Sequence, residues 1–151
     1  MHTGTTVVRR HIEADPATVW AVLSDGWLYP TWVVGASRMR EVDNSWPAPG
    51  SKLHHSVGLW PLLINDRTEV VGSEPQKSLR LKAHGWPAGA AEVLIELQPA
   101  GDGTEVSIRE DAVAGPAKLI PQPLRQVAVM PRNREALRRL AFLAERRSDV
   151  A

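Results

Sequence analysis

The sequence predicts an α+β fold in which a curved, seven-stranded antiparallel sheet surrounds one long C-terminal helix. Two observations carry this prediction. Segments that alternate apolar and polar residues, separated by turn signals, fill most of residues 37–113, and a helical apolar stripe follows residue 124. Because the chain has 151 residues, we expect a single domain spanning 1–151.

The N-terminal segment predicts one strand followed by two short helices. Residues 5–13 are rich in Thr, Val and Ile, which favour a strand. Asp15 suits a helix N-cap and Pro16 the first helical position, so a short helix is expected at 16–23. Residues 25–34 predict a second short helical or turn segment.

Six further strands follow, with a turn signal between each pair. They are expected at 37–43, 52–58, 63–73, 77–84, 90–98 and 104–113. Apolar residues occupy alternate positions in several of them, for example Leu79, Leu81 and Ala83. One face of the sheet is therefore apolar and the other polar, which is typical of an antiparallel sheet covered on one side.

The cover is expected from a C-terminal helix at 124–147. Its predicted buried stripe consists of Val127, Met130, Leu137, Leu140, Ala141 and Ala144. Pro131 either kinks this helix or begins its main part. The same helix carries an arginine-rich set that could bind an anionic surface: Arg132, Arg134, Arg138, Arg139, Arg146 and Arg147. Glu135 and Glu145 lie at spacings that allow intrahelical pairs, so a solvated face is the preferred interpretation.

Several segments resemble those of a known superfamily. They are residues 11–20 (HIEADPATVW), Ser24-Asp25 with Tyr29-Pro30-Thr31-Trp32, and Gly103-Thr104-Glu105-Val106. With the order of elements, they resemble the START/Bet v 1-like superfamily, in its polyketide cyclase/dehydratase-type (SRPBCC) branch. The resemblance implies a helix-grip fold with a cavity between sheet and helix, and it identifies no single activity.

Composition and motifs exclude several functional classes. The chain has no Cys, which removes thiolate nucleophiles and Cys-based metal sites, and its net charge of +1 gives no electrostatic case for nucleic-acid binding. No apolar run approaches the length of a membrane span, and the N-terminus lacks a signal-peptide pattern, so a cytoplasmic protein is expected. The adjacent His54 and His55 point to opposite faces of a strand, and we expect no metal and no cofactor.

The dipeptide Trp-Pro occurs three times, each time at a predicted hairpin tip. In an antiparallel meander, the loops around Trp60 and Trp86 share one end of the sheet, whereas the loop around Trp46 lies at the other. Trp60 and Trp86 either frame the entrance of a ligand cavity or close the open ends of the core.

Two polar residues fall on the apolar face of their strands. His55 shares a face with Leu53, and Glu110 shares a face with Ile108. Because a buried carboxylate requires a partner, we expect Glu110 to pair with Asn133 or Arg134 of the helix, unless its strand ends early and exposes it.

Together these features predict a site that binds a hydrophobic small molecule of lipid, polyketide or isoprenoid type. Its expected lining residues are Trp32, His55, Trp60, Leu81, Trp86, Val93, Glu110, Asn133, Arg134 and Leu137. The alternative is a polyketide cyclase/dehydratase-like enzyme acting on a poly-ketone in the same cavity, with His55 and Glu110 as acid/base candidates. A monomer and a homodimer are both compatible with the sequence.

Overall fold

The computed structural model describes residues 6–33, 36–57, 64–85 and 89–150. Within these ranges, seven strands form one sheet with antiparallel neighbours in the order β1-β7-β6-β5-β4-β3-β2. The strands are β1 Val7–Ile12, β2 Ala36–Val42, β3 Lys52–Val57, β4 Ile64–Glu74, β5 Ser78–Gly85, β6 Gly89–Ala100 and β7 Gly103–Ala114. The predicted helix-grip fold is confirmed, and each predicted strand is present with its bounds shifted by a few residues at most.

Two short helices follow β1, as predicted. Helix α1 spans Pro16–Leu23, and the Asp15 carboxylate caps it by accepting a hydrogen bond of 2.8 Å from the backbone N–H of Thr18. The segment predicted at 25–34 divides into a 3-10 turn, Gly26–Leu28, and helix α2, Tyr29–Trp32. The 3-10 turn lies very close to the sheet, because a Cβ on Gly26 would stand 2.6 Å from Leu53.

The long helix α3 spans Gln122–Val150, after a 3-10 turn at Pro116–Leu119. It continues on both sides of Pro131, which lies inside the helix and does not begin it. Leu137, Leu140, Ala141 and Ala144 are buried as the stripe predicts, but Val127 is 68% exposed, so its assignment to the core was wrong. The periodicity of α3 is right, but its first two turns extend beyond the apolar part of the sheet.

The core lies between α3, α1 and the inner face of the sheet. Its fully buried side chains include Ile12, Leu53, Leu79, Leu81, Ile95, Val106, Leu137 and Leu140. Register irregularities, at which a β-bulge bends the strands, occur in three strand pairs: β2 with β3, β4 with β5, and β6 with β7. Helix α3 packs against β1 and β7 at one edge of the sheet, and α2 packs between α3 and β2 at the other edge.

The two ends of the sheet differ. At one end, here called the closed end, Trp46 is buried and its indole N–H donates to the carbonyl of Leu23 at 3.2 Å. The C-terminal turns of α3 lie at this end, where Glu145 accepts a hydrogen bond of 2.9 Å from the backbone of Glu13. Strands β3, β5 and β7 end at the opposite end, here called the helix-entry end, because α3 begins there.

Candidate functional site

The inner face of the sheet has one row of residues that begins in the core and ends at a carboxylate. Leu81 of β5 pairs with Val70 of β4 and with Val93 of β6, and Val93 in turn pairs with Glu110 of β7. Val70 and Leu81 are fully buried, whereas Val93 is only partly buried although its neighbours point inward. Such partial exposure on the inner face is what an opening between the sheet and the helix would produce.

The next row toward the helix-entry end consists of small side chains. Thr68 pairs with Ala83, Ala83 with Ala91, and Ala91 with Ala112, across four adjacent strands. All three alanines retain partial exposure. Side chains of this size fill little of the space between a sheet and a helix, so this row favours a hollow rather than a packed core.

Two methionines are further candidates for an apolar lining. Met39 pairs with His55 across β2 and β3, and Met130 lies on α3; both are half-buried against the core. Met is unbranched and polarisable, so it adapts to ligands of irregular shape. Val93, Met39 and Met130 are therefore three partly buried apolar side chains on three different elements.

A cluster of polar and aromatic side chains lies on the wall of this region, formed by α2, β3 and β4. The hydroxyl of Thr68 lies 2.9 Å from Nε2 of His55 and 3.2 Å from the hydroxyl of Tyr29. The rings of Tyr29 and His55 stack at 5.6 Å between centroids, and Trp32 meets Tyr29 edge-on at 5.5 Å. All four residues are buried. The structure thus places the predicted site residues Trp32 and His55 together, and adds Tyr29 and Thr68.

The environment of Tyr29 alters its acidity. Burial raises the pKa of the phenol to about 12; the hydrogen bond with Thr68 lowers it, the Glu110 carboxylate raises it, and the Arg132 guanidinium lowers it. Tyr29 is therefore protonated at neutral pH and acts as a hydroxyl that can donate or accept a hydrogen bond. The influence of Glu110 and Arg132 shows that these charges lie within electrostatic reach of the polar cluster.

Glu110 is buried and paired, as the sequence predicted, but its partner differs from the prediction. The carboxylate forms an ion pair with Arg132, whose side chain is 42% exposed and thus connects the pair to the surface. The backbone carbonyl of Glu110 accepts a hydrogen bond of 2.9 Å from Gln126. Arg134, one of the two partners expected, is exposed, because it lies two residues farther along α3 and on another face. Asn133 is buried beside the core.

Sequence reasoning missed a second buried carboxylate next to Glu110. Asp111 accepts hydrogen bonds from Nε of Arg125 at 2.8 Å, from Nη2 of Arg125 at 3.0 Å, and from the Gln122 amide at 3.0 Å. The bonds from Arg125 hold the pKa of the Asp111 carboxyl below its usual range, against the opposing effect of burial. Two adjacent acidic residues of β7 thus anchor the first turns of α3. No local pattern indicates these pairs, because 14 and 22 residues separate the partners.

The remaining predicted residues are distributed as follows. Leu81 and Leu137 are fully buried and belong to the core beneath the hollow. Trp46 closes the core at the closed end, as one interpretation of the Trp-Pro loops expected. Trp60 and Trp86 lie outside the described residues, and their role at an entrance stays a prediction.

His54 points away from His55, toward the polar face. Its Nε2 lies 3.8 Å from Glu41 and 3.7 Å from Asp43, and the three residues offer ligand atoms within 4.8 Å of one another. Glu41 is 71% exposed, and Asp43 also accepts a hydrogen bond from the backbone of Lys52. The geometry is that of an exposed ion-pair group, and the site between sheet and α3 does not include it.

The comparison with family models connects this geometry to known proteins. Residues 3–145 match the family described as polyketide cyclase / dehydrase and lipid transport. The chain belongs to this family. The search of curated proteins found no match.

Several solved structures share the fold of this chain over most of its length. The protein NE0264 from Nitrosomonas europaea superposes with a TM-score of 0.73 at 17% identity, covering 96% of each chain. The allergen Ara h 8.0201 gives 0.70 at 13% identity, covering 93% of this chain and 96% of its own. The di-domain aromatase/cyclase StfQ of the steffimycin biosynthetic pathway gives 0.75 at 12% identity, covering 96% of this chain and 51% of its own. The family match over residues 3–145, together with the shared fold, confirms the SRPBCC/Bet v 1-like resemblance.

Among the described helices, none combines the length and the hydropathy needed to cross a membrane.

Proposed function

We propose that this protein binds a hydrophobic small molecule carrying at least one polar group, in the hollow between the sheet and α3. The observation that carries the proposal is the half-buried, inward-facing Val93, which lies between the buried Leu81 and the Glu110–Arg132 pair. Val93, Met39 and Met130 supply apolar contact area, and burial of that area provides the main part of the affinity.

The polar groups of the hollow would orient the ligand. On one wall, hydroxyl and imidazole groups come from Tyr29, Thr68 and His55. Arg132 offers a partly exposed guanidinium beside Glu110 of β7. This arrangement suits a lipid, polyketide or isoprenoid that carries a carbonyl, hydroxyl or carboxylate group. The other ligand contacts expected from the sequence stay predictions: Trp32, Trp60, Trp86, Asn133, Arg134 and Leu137. A cytoplasmic location and a monomeric or dimeric state also stay predictions.

The test uses native mass spectrometry of the recombinant protein, followed by titration with the neutral apolar dye N-phenyl-1-naphthylamine. We expect a co-purified or added hydrophobic molecule to remain bound in the gas phase, and the dye to fluoresce on binding. Val93→Trp fills the hollow and should lower dye affinity at least about tenfold, because a bulky ring replaces the space that the ligand needs.

The matched control is Leu94→Trp, one residue along β6 on the opposite face, where the neighbours are Arg80 and Arg109. This variant should bind the dye as the wild type does. Equal affinity in the wild type and in Val93→Trp would place the dye elsewhere and contradict the proposal, as would the absence of any bound molecule.

A second candidate function is suggested by the hydrogen-bonded series Tyr29–Thr68–His55. A hydroxyl carries one proton, so Thr68 can accept from one of its two neighbours while donating to the other. Such a series could move a proton to or from a bound poly-ketone during cyclisation by aldol closure and dehydration, and the family description names a polyketide cyclase and a dehydrase. If the protein turns over a poly-β-ketone thioester, His55→Ala and Tyr29→Phe should each lower kcat at least about tenfold. Unchanged turnover in both variants would refute this candidate and leave ligand binding intact.

A further inference from the structure

Among the described residues, the three most exposed large apolar side chains lie in the first turns of α3 and just before it. Seven large hydrophobic residues are exposed in the described part of the chain, and four of them fall within residues 119–127. Leu119 is 87% exposed, Val127 68%, Leu124 61% and Ile120 48%. A soluble domain leaves single apolar residues exposed routinely, but a cluster of this kind marks a contact surface.

The charge of the same segment is one-sided. Residues 112–134 contain four basic residues, Lys118, Arg125, Arg132 and Arg134, and no Asp or Glu. Arg125 and Arg132 neutralise Asp111 and Glu110, whereas Lys118 and Arg134 are exposed and lie in sequence on either side of the exposed apolar residues. We call the set Lys118, Leu119, Ile120, Leu124, Val127 and Arg134 the docking surface.

We propose that the docking surface binds a lipid bilayer containing anionic phospholipids. Exposed leucine, isoleucine and valine side chains enter the boundary between headgroups and acyl chains, while flanking cations meet the negative headgroups. A second copy of the chain is a poorer occupant. A two-fold interface would place the same docking surface on both sides, so that the basic pair Lys118 and Arg134 of one copy would face the same basic pair of the other.

This inference goes beyond ligand binding, because it concerns where the protein docks and requires no particular ligand. The docking surface lies close to the proposed ligand site, because α3 begins at the helix-entry end, where Val93 and the three alanines keep partial exposure. A protein docked through this surface would present the open part of its inner face to the bilayer, from which a hydrophobic molecule could enter without crossing water.

The test is flotation of the full chain with vesicles of phosphatidylcholine alone and of phosphatidylcholine mixed with phosphatidylglycerol. We expect binding to the mixed vesicles, weakened by high salt because the headgroup attraction is screened. The double variant Leu124→Ser, Val127→Ser should lower the vesicle-bound to free ratio at least about tenfold on mixed vesicles. Lys118→Gln with Arg134→Gln should lower it about tenfold on mixed vesicles and leave the result on neutral vesicles unchanged.

The matched control, Val71→Ser with Lys77→Gln, removes an exposed apolar and a basic side chain from the β4–β5 region, far from α3 in sequence. It should bind as the wild type does. Circular dichroism of every variant verifies that the fold is retained.

Three results would overturn the proposal. The first is a wild type that stays free of vesicles at both compositions. The second is vesicle binding by the docking-surface variants that equals binding by the wild type. The third is a dimer, detected by sedimentation, that Leu124→Ser, Val127→Ser dissociates, which would assign the face to a second copy. Each is independent of whether the hollow binds the dye, so failure here and failure of the proposed function are distinguishable.

Discussion

Tyr29 shows how a single buried hydroxyl links the aromatic wall to the charged rim of the site. Its ring contacts Trp32 and His55, its oxygen lies beside Thr68, and its acidity responds to both Glu110 and Arg132. Tyr29 thus joins α2 to β3 and β4 by direct contact, and its pKa also depends on the charge of Arg132 in α3.

The acidity of Tyr29 can be measured directly, because it is the chain's only Tyr. The phenolate absorbance of the folded protein should appear with a midpoint near 12, against 10.0 for an unperturbed phenol. Since the pKa is raised on folding, the associated stability is complete below pH 10.0 and is lost as the pH rises toward about 12. Urea unfolding of the wild type should therefore become easier across this window, and that of Tyr29→Phe should change less. A folded-state midpoint near 10.0 would show that the hydroxyl is in contact with water.

Glu110 and Asp111 illustrate a different residue-scale effect. Adjacent positions on a strand ordinarily point to opposite faces, yet both carboxylates are buried and each holds an arginine of α3. Removing either arginine would leave a buried charge without its main partner, which is costly. These pairs position the start of α3, and with it the docking surface.

At the scale of elements, α1 depends on its cap. The Asp15 carboxylate accepts the Thr18 N–H at 2.8 Å, and Pro16 occupies the first turn. Asp15→Ala should lower the free energy of unfolding measurably, because a helix N–H loses its acceptor. Asp15→Asn keeps an oxygen in the same place and should lose less than half as much. Urea denaturation distinguishes the two, and equal losses would mean that charge rather than capping stabilises α1.

Helix α3 combines two environments along its length. Its C-terminal half presents Leu137, Leu140 and Ala144 to the core, whereas its first turns expose Leu124 and Val127. Arginines on its outer side behave as predicted in part: Glu135 pairs with Arg138 and Arg139, which holds the pKa of Glu135 down to about 2. Arg132 instead turns to Glu110.

The whole molecule is held together by the contact of α3 with the sheet, and a matched pair of leucines tests this. Leu140 is fully buried, so Leu140→Ala should lower the free energy of unfolding by about 2–5 kcal/mol. Leu124 is 61% exposed, so Leu124→Ala should change it by about 0.5 kcal/mol or less. Both values come from urea denaturation. A large loss at Leu124 would indicate that the docking surface is covered within the folded protein.

The sequence alone determined the order of elements, the alternation of the strands, the inward position of His55 and Glu110, and the cap at Asp15. Each of these depends on local periodicity or local hydrogen bonding, which neighbouring residues express directly. Only the tertiary structure decided that Glu110 pairs with Arg132, that Thr68 and Tyr29 join His55, and that Val127 is exposed. These outcomes depend on where α3 and α2 meet the curved sheet, which is a property of the packed molecule. The periodic spacing of apolar residues in the sequence does not indicate how far a helix extends beyond the core that it covers.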